Sequence, residues 1–171
     1  MHDSAFSVFG LQPRLAIDVA TLEKAHRVLS TELHPDAPNP SGDRVVRAER
    51  LAHVNAAYKQ LKDPVGRAEA LFTAHGVAFG DGVEPAPAGD LLMSVLEARE
   101  ELSDARRAKD VATCARMLAE SRTALQRAAE SVQSAMTAND TQLALRFLGV
   151  LRYQARLAKD AQDSVSLLED E

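Results

Sequence analysis

The tripeptide His34-Pro35-Asp36, called here the HPD tripeptide, is the part of the chain whose residue types point most clearly to a chemical role. Pro35 lacks a backbone donor and disfavours helical backbone at the residue before it, so a preceding helix should end at or just before His34. Asp36 has no basic residue near it in the sequence until Arg44, and a carboxylate presented in this way is available to a partner. No nucleophile or third member completes a catalytic dyad of His34 and Asp36, so we predict a binding role and no enzymatic activity.

A second pattern that points to binding lies in the C-terminal half. It comprises Met93, Leu96, Glu97, Glu100 and Asp104. Their successive spacings of three, one, three and four let these residues line one side of a helix. An apolar patch with acidic residues along its edge suits a partner whose exposed apolar surface has a basic rim. Leu92 and Leu96 also admit an interpretation as core residues, because leucines at helical spacing are usually buried.

Composition and charge exclude several other classes of protein. The 171 residues allow one medium domain or two small ones, and the net charge of -5 argues against nucleic acid as the main partner. The single cysteine, Cys114, excludes an internal disulfide and a cysteine-rich zinc site, and fits a reducing compartment, the cytoplasm. No apolar run approaches the roughly 20 residues that span a bilayer, so we expect no membrane contact. Glu97 and Glu100 have no histidine in the C-terminal half to complete a carboxylate metal site, so we predict no metal and no cofactor.

Two long amphipathic helices must position the HPD tripeptide. The first should begin after an N-cap at Asp18, and the second after a cap at Ser41 or Asp43. Lys24 and Arg27 lie three residues apart on the first helix and can share a face, although they also fit a merely solvated surface. The buried stripe of the second helix is predicted to be Val46, Leu51, Val54, Tyr58 and Leu61. A loop of about ten residues between such helices favours antiparallel packing, with the HPD tripeptide at one tip of the hairpin.

Short helices are expected on either side of this hairpin. Residues 4–9 form a brief apolar segment, and residues 64–75 predict a helix with Pro64 in its first turn and Gly76 as its C′ residue. We therefore predict a first domain over residues 1–76, built entirely from helices.

The C-terminal half predicts a second, separate domain. Residues 77–89 are dense in glycine and proline and indicate a linker. Asp90 is the expected N-cap of the first of three amphipathic helices, which are separated by short turns near residues 109–113 and 139–140. Such segments predict an antiparallel three-helix bundle over residues 90–171. Since no strand pattern appears anywhere, the predicted fold class is all-α.

Two stretches of the first domain resemble a J domain, the module of DnaJ-type co-chaperones. The runs are LEKAHRVLSTELHPD and HVNAAYKQLKDPVGRAEAL. The matching positions after the HPD tripeptide are Asn55, Ala57, Tyr58, Leu61, Asp63, Pro64, Arg67 and Ala68. Three further runs, FSVFGLQP, RAEALFTAHG and LLMSVLEAREEL, are similar to the HscB family, the J-type co-chaperones of iron–sulfur cluster assembly. The resemblance covers nearly the whole chain, including its two-domain layout.

The resemblance implies two partners. The J domain would stimulate ATP hydrolysis by a DnaK-class, HscA-type chaperone, and the bundle would bind an IscU-type iron–sulfur scaffold protein and deliver it. The chaperone-binding residues implied in this way are Lys24, Arg27, His34, Pro35 and Asp36. The scaffold-binding residues implied in this way are Leu92, Met93, Leu96, Glu97, Glu100, Asp104 and Tyr153. Tyr153 would extend the apolar patch if the first and last helices of the bundle are neighbours.

The chain departs from the J-domain pattern beside the HPD tripeptide. Leu33 replaces a typical tyrosine, Ala37 replaces a frequent basic residue, and Glu32 makes the helix less positive, which suits a narrow choice of chaperone. An alternative is a J-domain adaptor for a different client. The HPD tripeptide cannot distinguish this alternative from an HscB-type co-chaperone, but the pattern of Met93, Leu96, Glu97 and Glu100 disfavours it. A helical enzyme would need a nucleophile–base pair or a ligand cluster, and the sequence offers neither.

Overall fold

The computed structural model describes residues 4–34, 43–80, 82–85 and 89–169. All regular secondary structure in these ranges is α-helical, which confirms the predicted all-α fold. The chain divides into two compact units, Met1–Ala78 and Phe79–Glu171.

Four helices make up the first unit. They are α1 (Ala5–Val8), α2 (Val19–Leu33), α3 (Arg44–Lys62) and α4 (Pro64–Ala74). The Asp18 side chain accepts hydrogen bonds from the backbone N–H groups of Ala20 and Thr21, which confirms it as the N-cap of α2. Asp43 caps α3 by accepting from the N–H of Val45 at 2.6 Å. The alternative cap, Ser41, lies outside the described residues.

Helices α2 and α3 form the predicted antiparallel hairpin, but one residue of the expected buried stripe is wrong. Val54 and Leu61 are buried and Leu51 and Tyr58 are half-buried, whereas Val46 is 52% exposed. Arg47 takes the buried position instead, with only 7% of its surface exposed. The seven-residue spacing from Leu61 to Val54 continues to Arg47, because seven residues are close to two helical turns.

Asp63 and Arg67, two residues of the J-domain-like motif, hold the junction between α3 and α4. The Asp63 carboxylate accepts from the N–H of Gly66 at 2.6 Å and so caps α4. Arg67 donates through Nε to the carbonyl of Leu61 at 2.7 Å and through Nη1 to that of Leu15 at 2.9 Å. The bond to Leu61 satisfies a carbonyl at the end of α3 that has no helical partner. Burial lowers the pKa of the Arg67 guanidinium.

The second unit contains α5 (Gly89–Arg107), α6 (Val111–Thr137) and α7 (Thr141–Glu169). The two turns between them share one design, in which a residue with positive φ precedes a capping aspartate. Lys109 has φ 55° and Asn139 has φ 57°. Asp110 then accepts from the N–H of Thr113, and Asp140 from that of Leu143, both at 3.0 Å. Asp90 was expected to cap the first helix of this bundle; it lies one residue inside it, within the first turn of α5.

These three helices form the predicted bundle, with α6 and α7 packed together most extensively. Helix α5 buries only Leu102 and Ala105, both near its C-terminal end, against residues of α6 and α7 that include Cys114 and Ala161. Its first part, from Gly89 to Glu101, buries no residue.

The stretch before α5 is attached to the last helix. Glu84 receives two hydrogen bonds from Nη1 of Arg152 on α7, the longer at 2.6 Å, and its Oε1 also accepts from the N–H of Gly80 at 2.7 Å. The predicted linker therefore includes residues that are bonded to α7.

Candidate partner-binding surfaces

His34 ends α2 and begins the tip of the hairpin. Its φ of -61° and ψ of 139° are extended, which confirms that the helix stops at the residue before Pro35. The His34 side chain is exposed. Pro35 and Asp36, the other members of the HPD tripeptide, lie outside the described residues.

Arg47 is the residue beneath this tip that sequence reasoning missed. Its Nη1 donates to the carbonyl oxygen of His34 at 3.4 Å, so the first part of α3 is bonded to the last residue before the loop. Its Nε is buried and has no hydrogen-bond partner in the described part of the chain. The signal that could have identified it was the seven-residue spacing from Val54, which an arginine, usually exposed, obscures.

A seam of polar and aromatic side chains joins α2 to α3. His26 stacks on Tyr58 with ring centroids 4.0 Å apart, and its Nε2 lies 2.8 Å from Oδ1 of Asn55. Lys62 donates from Nζ to the Tyr58 hydroxyl and to Glu23, each at 3.2 Å. The bond to Tyr58, followed by that to Glu23, raises the pKa of Lys62. The seam fixes the register in which the two helices present their outer faces.

Lys24 and Arg27 lie on the exposed surface of α2. Within the described ranges, neither side chain forms a hydrogen bond or an ion pair. Both cations are therefore available to a partner, in contrast to Lys62, which is paired with Glu23 across the seam.

The predicted stripe on α5 is exposed. Leu92 is 39% exposed, Met93 57% and Leu96 55%, so the interpretation of Leu92 and Leu96 as core residues is wrong. Glu97, Glu100 and Asp104 are exposed as well. We call these six residues the α5 face. Among them Asp104 is paired, with Arg107 one turn further along the helix.

Tyr153 lies half-buried on α7, a neighbour of α5. The two helices run in the same direction, since each is antiparallel to α6. Arg99 on α5 and Asp160 on α7 form an ion pair at 3.5 Å and are separated by 61 residues. The same offset separates Leu92 from Tyr153, so these two residues lie at about the same level of the bundle.

The described residues contain no group of three or more His, Cys, Asp or Glu side chains that could hold a metal ion. None of the helices in the described ranges could span a membrane. Cys114 is fully buried, and this burial raises the pKa of its thiol.

Comparison with known proteins gives a consistent result. Residues 88–162 match the family model described as the HSCB C-terminal oligomerisation domain. The chain is 30% identical over 171 residues to the co-chaperone protein HscB homolog of Burkholderia multivorans, covering 99% of this chain and 98% of the relative. It is 36% identical over 124 residues to the homolog from Burkholderia pseudomallei, with 71% of each covered.

Solved structures show the same fold. The chaperone HscB from Vibrio cholerae matches with a TM-score of 0.79 and 26% identity, covering 96% of this chain and 99% of that chain. Human co-chaperone protein HscB matches in fold with a TM-score of 0.77 and 21% identity, covering 92% of this chain and 80% of that chain.

A helical hairpin whose first helix stops at the HPD tripeptide, followed by a three-helix bundle, defines a J-type co-chaperone with a second helical domain. Within that class, the 30% identity to a curated HscB relative over almost the full length of both chains is decisive. The chain belongs to the HscB family of co-chaperones.

Proposed function

We propose that this co-chaperone binds an IscU-type iron–sulfur scaffold protein and stimulates the ATPase of a DnaK-class, HscA-type chaperone, and so assists iron–sulfur cluster assembly and transfer. Residues 90–171 would carry the client, residues 1–76 would engage the chaperone, and residues 77–89 would join them. The observation that carries this proposal is the α5 face, since three large apolar side chains are exposed beside three carboxylates.

The proposal of a client site rests on how little of α5 is buried within its own bundle. Its first part buries no residue, yet it exposes Leu92, Met93 and Leu96. Burying such side chains against a partner is favourable by about 25 cal/mol for each Å² of apolar surface removed from water. The carboxylates at the edge would select a partner with a basic rim. Tyr153, level with Leu92, would extend the contact onto α7.

The chaperone half uses Lys24, Arg27, His34, Pro35 and Asp36. Asp36 would pair with a basic group on the nucleotide domain of the chaperone, while His34 and Pro35 set the shape of the loop. Lys24 and Arg27 would attract an acidic surface, an effect that salt weakens. Docking stimulates hydrolysis only by favouring the catalytically competent state of the chaperone, so the co-chaperone itself catalyses nothing.

The test is steady-state ATP hydrolysis by the cognate DnaK-class chaperone, measured with the wild-type protein and with Asp36→Asn, each with and without the scaffold. We expect the wild type to stimulate hydrolysis, the scaffold to increase the stimulation, and Asp36→Asn to abolish it. Asparagine keeps the size of the side chain and removes its charge.

Two other outcomes would contradict parts of the proposal. Stimulation that ignores the scaffold would retain the J-domain role and assign a different client to the α5 face. Absence of stimulation by the wild type would reject the chaperone role altogether.

Contact between copies is a second candidate role for the α5 face, favoured because the matched family model is described as an oligomerisation domain. Sedimentation of the protein alone and with the scaffold separates the two roles. A client site leaves the free protein monomeric, whereas a self-contact gives oligomers that Leu96→Ser dissociates.

A further inference from the structure

The seam between α2 and α3 determines which side chains share the outer surface of the hairpin. Glu23 meets Tyr58 at 3.4 Å, His26 meets Asn55 at 2.8 Å, and the carbonyl of His34 meets Arg47 at 3.4 Å. Residue numbers rise along α2 as they fall along α3, so the helices are antiparallel over the whole hairpin.

Three cations follow seam residues directly in the sequence. Lys24 follows Glu23, Arg27 follows His26, and Lys59 follows Tyr58. In two right-handed helices that run antiparallel, the residue after a seam residue turns toward the same side of the pair. Lys24, Arg27 and Lys59 therefore lie on one side of the hairpin, and all three are exposed. We call this group the cationic face.

The positive charge of the hairpin comes mainly from α3. Helix α2 carries Lys24 and Arg27 but also Glu23 and Glu32, so its charges cancel. Helix α3 carries five basic residues and one acidic residue. A surface to which α3 contributes therefore attracts an acidic partner more strongly than α2 does alone.

The nearby carboxylates do not neutralise the charges of the cationic face. Glu23 is paired with Lys62, and Asp63 caps α4. Glu32 lies about 140° round α2 from Arg27, and Glu49 about 80° round α3 from Lys59, at 100° per residue. In the described structure, the side chains of the cationic face form no ion pair with any of them.

We infer that Lys59 completes, with Lys24 and Arg27, the surface that receives an acidic patch of the DnaK-class chaperone, so that docking spans both helices of the hairpin. The inference rests on the proposed function, because the chaperone is the partner it assigns. Charge complementarity supplies the argument, since the three cations have no partner within the described chain and an acidic surface satisfies them together.

The chain offers a closely matched control for Lys59. Arg50 lies on the same helix, is exposed, and has no side-chain partner in the described ranges. Nine residues separate it from Lys59, which places it half a turn away on the opposite side of α3. Lys59→Glu and Arg50→Glu change the net charge equally but change different faces.

The experiment titrates wild type, Lys59→Glu and Arg50→Glu against the chaperone and measures ATPase stimulation at low and at physiological salt. We expect Lys59→Glu to raise the half-maximal concentration about fivefold or more at low salt, because an attraction becomes a repulsion. Arg50→Glu should stay within about twofold of wild type, since its charge faces away from the docked partner. Higher salt should reduce the difference in half-maximal concentration between Lys59→Glu and the wild type. All three proteins should reach maximal stimulation.

Lys59 also lies in the last turn of α3, where a cation stabilises the helix dipole. Loss of that stabilisation alone would lower the melting temperature without a salt-dependent change in the half-maximal concentration for ATPase stimulation. If Lys59→Gln keeps the wild-type affinity for the chaperone at every salt concentration, the inference is overturned. Equal effects of Lys59→Glu and Arg50→Glu would overturn it as well, while stimulation by the wild type keeps the proposed function intact. A salt-sensitive dimer lost in Lys59→Glu would identify a second copy as the occupant and reject the chaperone as the partner of Lys59.

Discussion

Arg47 occupies a costly position for a charged residue. The residue is only 7% exposed, its one described bond is long at 3.4 Å, and its Nε is buried with no partner among the described residues. A buried polar group without a partner loses about 1–3 kcal/mol relative to its hydrated state. The bonds that the described residues provide therefore do not offset the burial of an arginine beneath His34.

We expect Arg47→Met to raise the free energy of unfolding by about 1 kcal/mol, because methionine fills a similar space without a desolvated charge. Urea unfolding followed by far-UV circular dichroism measures the change. Arg50→Met, at an exposed site, should shift it by less than about 0.5 kcal/mol. A loss of stability in Arg47→Met would mean that the bond to the His34 carbonyl outweighs the burial of the charge.

Residue-level predictions from sequence succeeded where one side chain acts locally. Asp18 was predicted as a cap, and Asp43 as one of two candidates with Ser41, because a polar side chain before an apolar periodic segment satisfies free N–H groups of the first turn. The exchange of Val46 for Arg47 in the core could not be predicted by residue type, since burial there depends on the tertiary position of α3. The chemical preference of valine for the interior is outweighed by its position on the helix.

At the scale of the element, α5 differs from its two neighbours in where its apolar residues lie. Helices α6 and α7 bury apolar side chains along their length, whereas α5 buries them only near its end. The helical spacing of its residues, Leu92 and Leu96 among them, predicted the helix correctly. It could not determine which leucines face the bundle, because a helix with two apolar stripes has no unique buried side.

We expect Leu96→Ser to weaken binding of an IscU-type scaffold about tenfold or more, since it removes apolar surface from the centre of the contact. Isothermal titration calorimetry measures the affinity. Leu143→Ser is the matched control, because Leu143 is also an exposed leucine of the second unit, at 39%, but lies on α7 outside the α5 face. Equal losses of affinity in both variants would show that the α5 face is not the site of binding.

At the scale of the whole molecule, each unit has a core of its own. Phe6, Leu22 and Phe72 are buried in the first unit, and Val132, Leu148 and Leu151 in the second. From the glycine and proline content of residues 77–89, the sequence predicts a linker between two domains. It could not predict that Glu84 in that stretch is paired with Arg152, because the two residues are 68 positions apart and no local pattern connects them.

We expect Glu84→Gln to lower the stability of the second unit by about 1–2 kcal/mol, because the partly buried Arg152 loses its counter-charge. Urea unfolding of Glu84→Gln, Arg152→Met and the double variant measures the interaction as a double-mutant cycle. Additive losses in the double variant would show that the pair contributes nothing to stability beyond its separate contacts.

Because Cys114 is completely buried, the reactivity of its thiol reports the opening of the second unit. The thiol has no exposed surface and its pKa is raised by burial, so a thiol-specific reagent reacts only when α5, α6 and α7 separate. The chain has one cysteine, so no second site contributes to the reaction. The labelling rate therefore counts openings of the second unit alone, and its slowing by a bound client would measure how firmly that client holds the bundle closed.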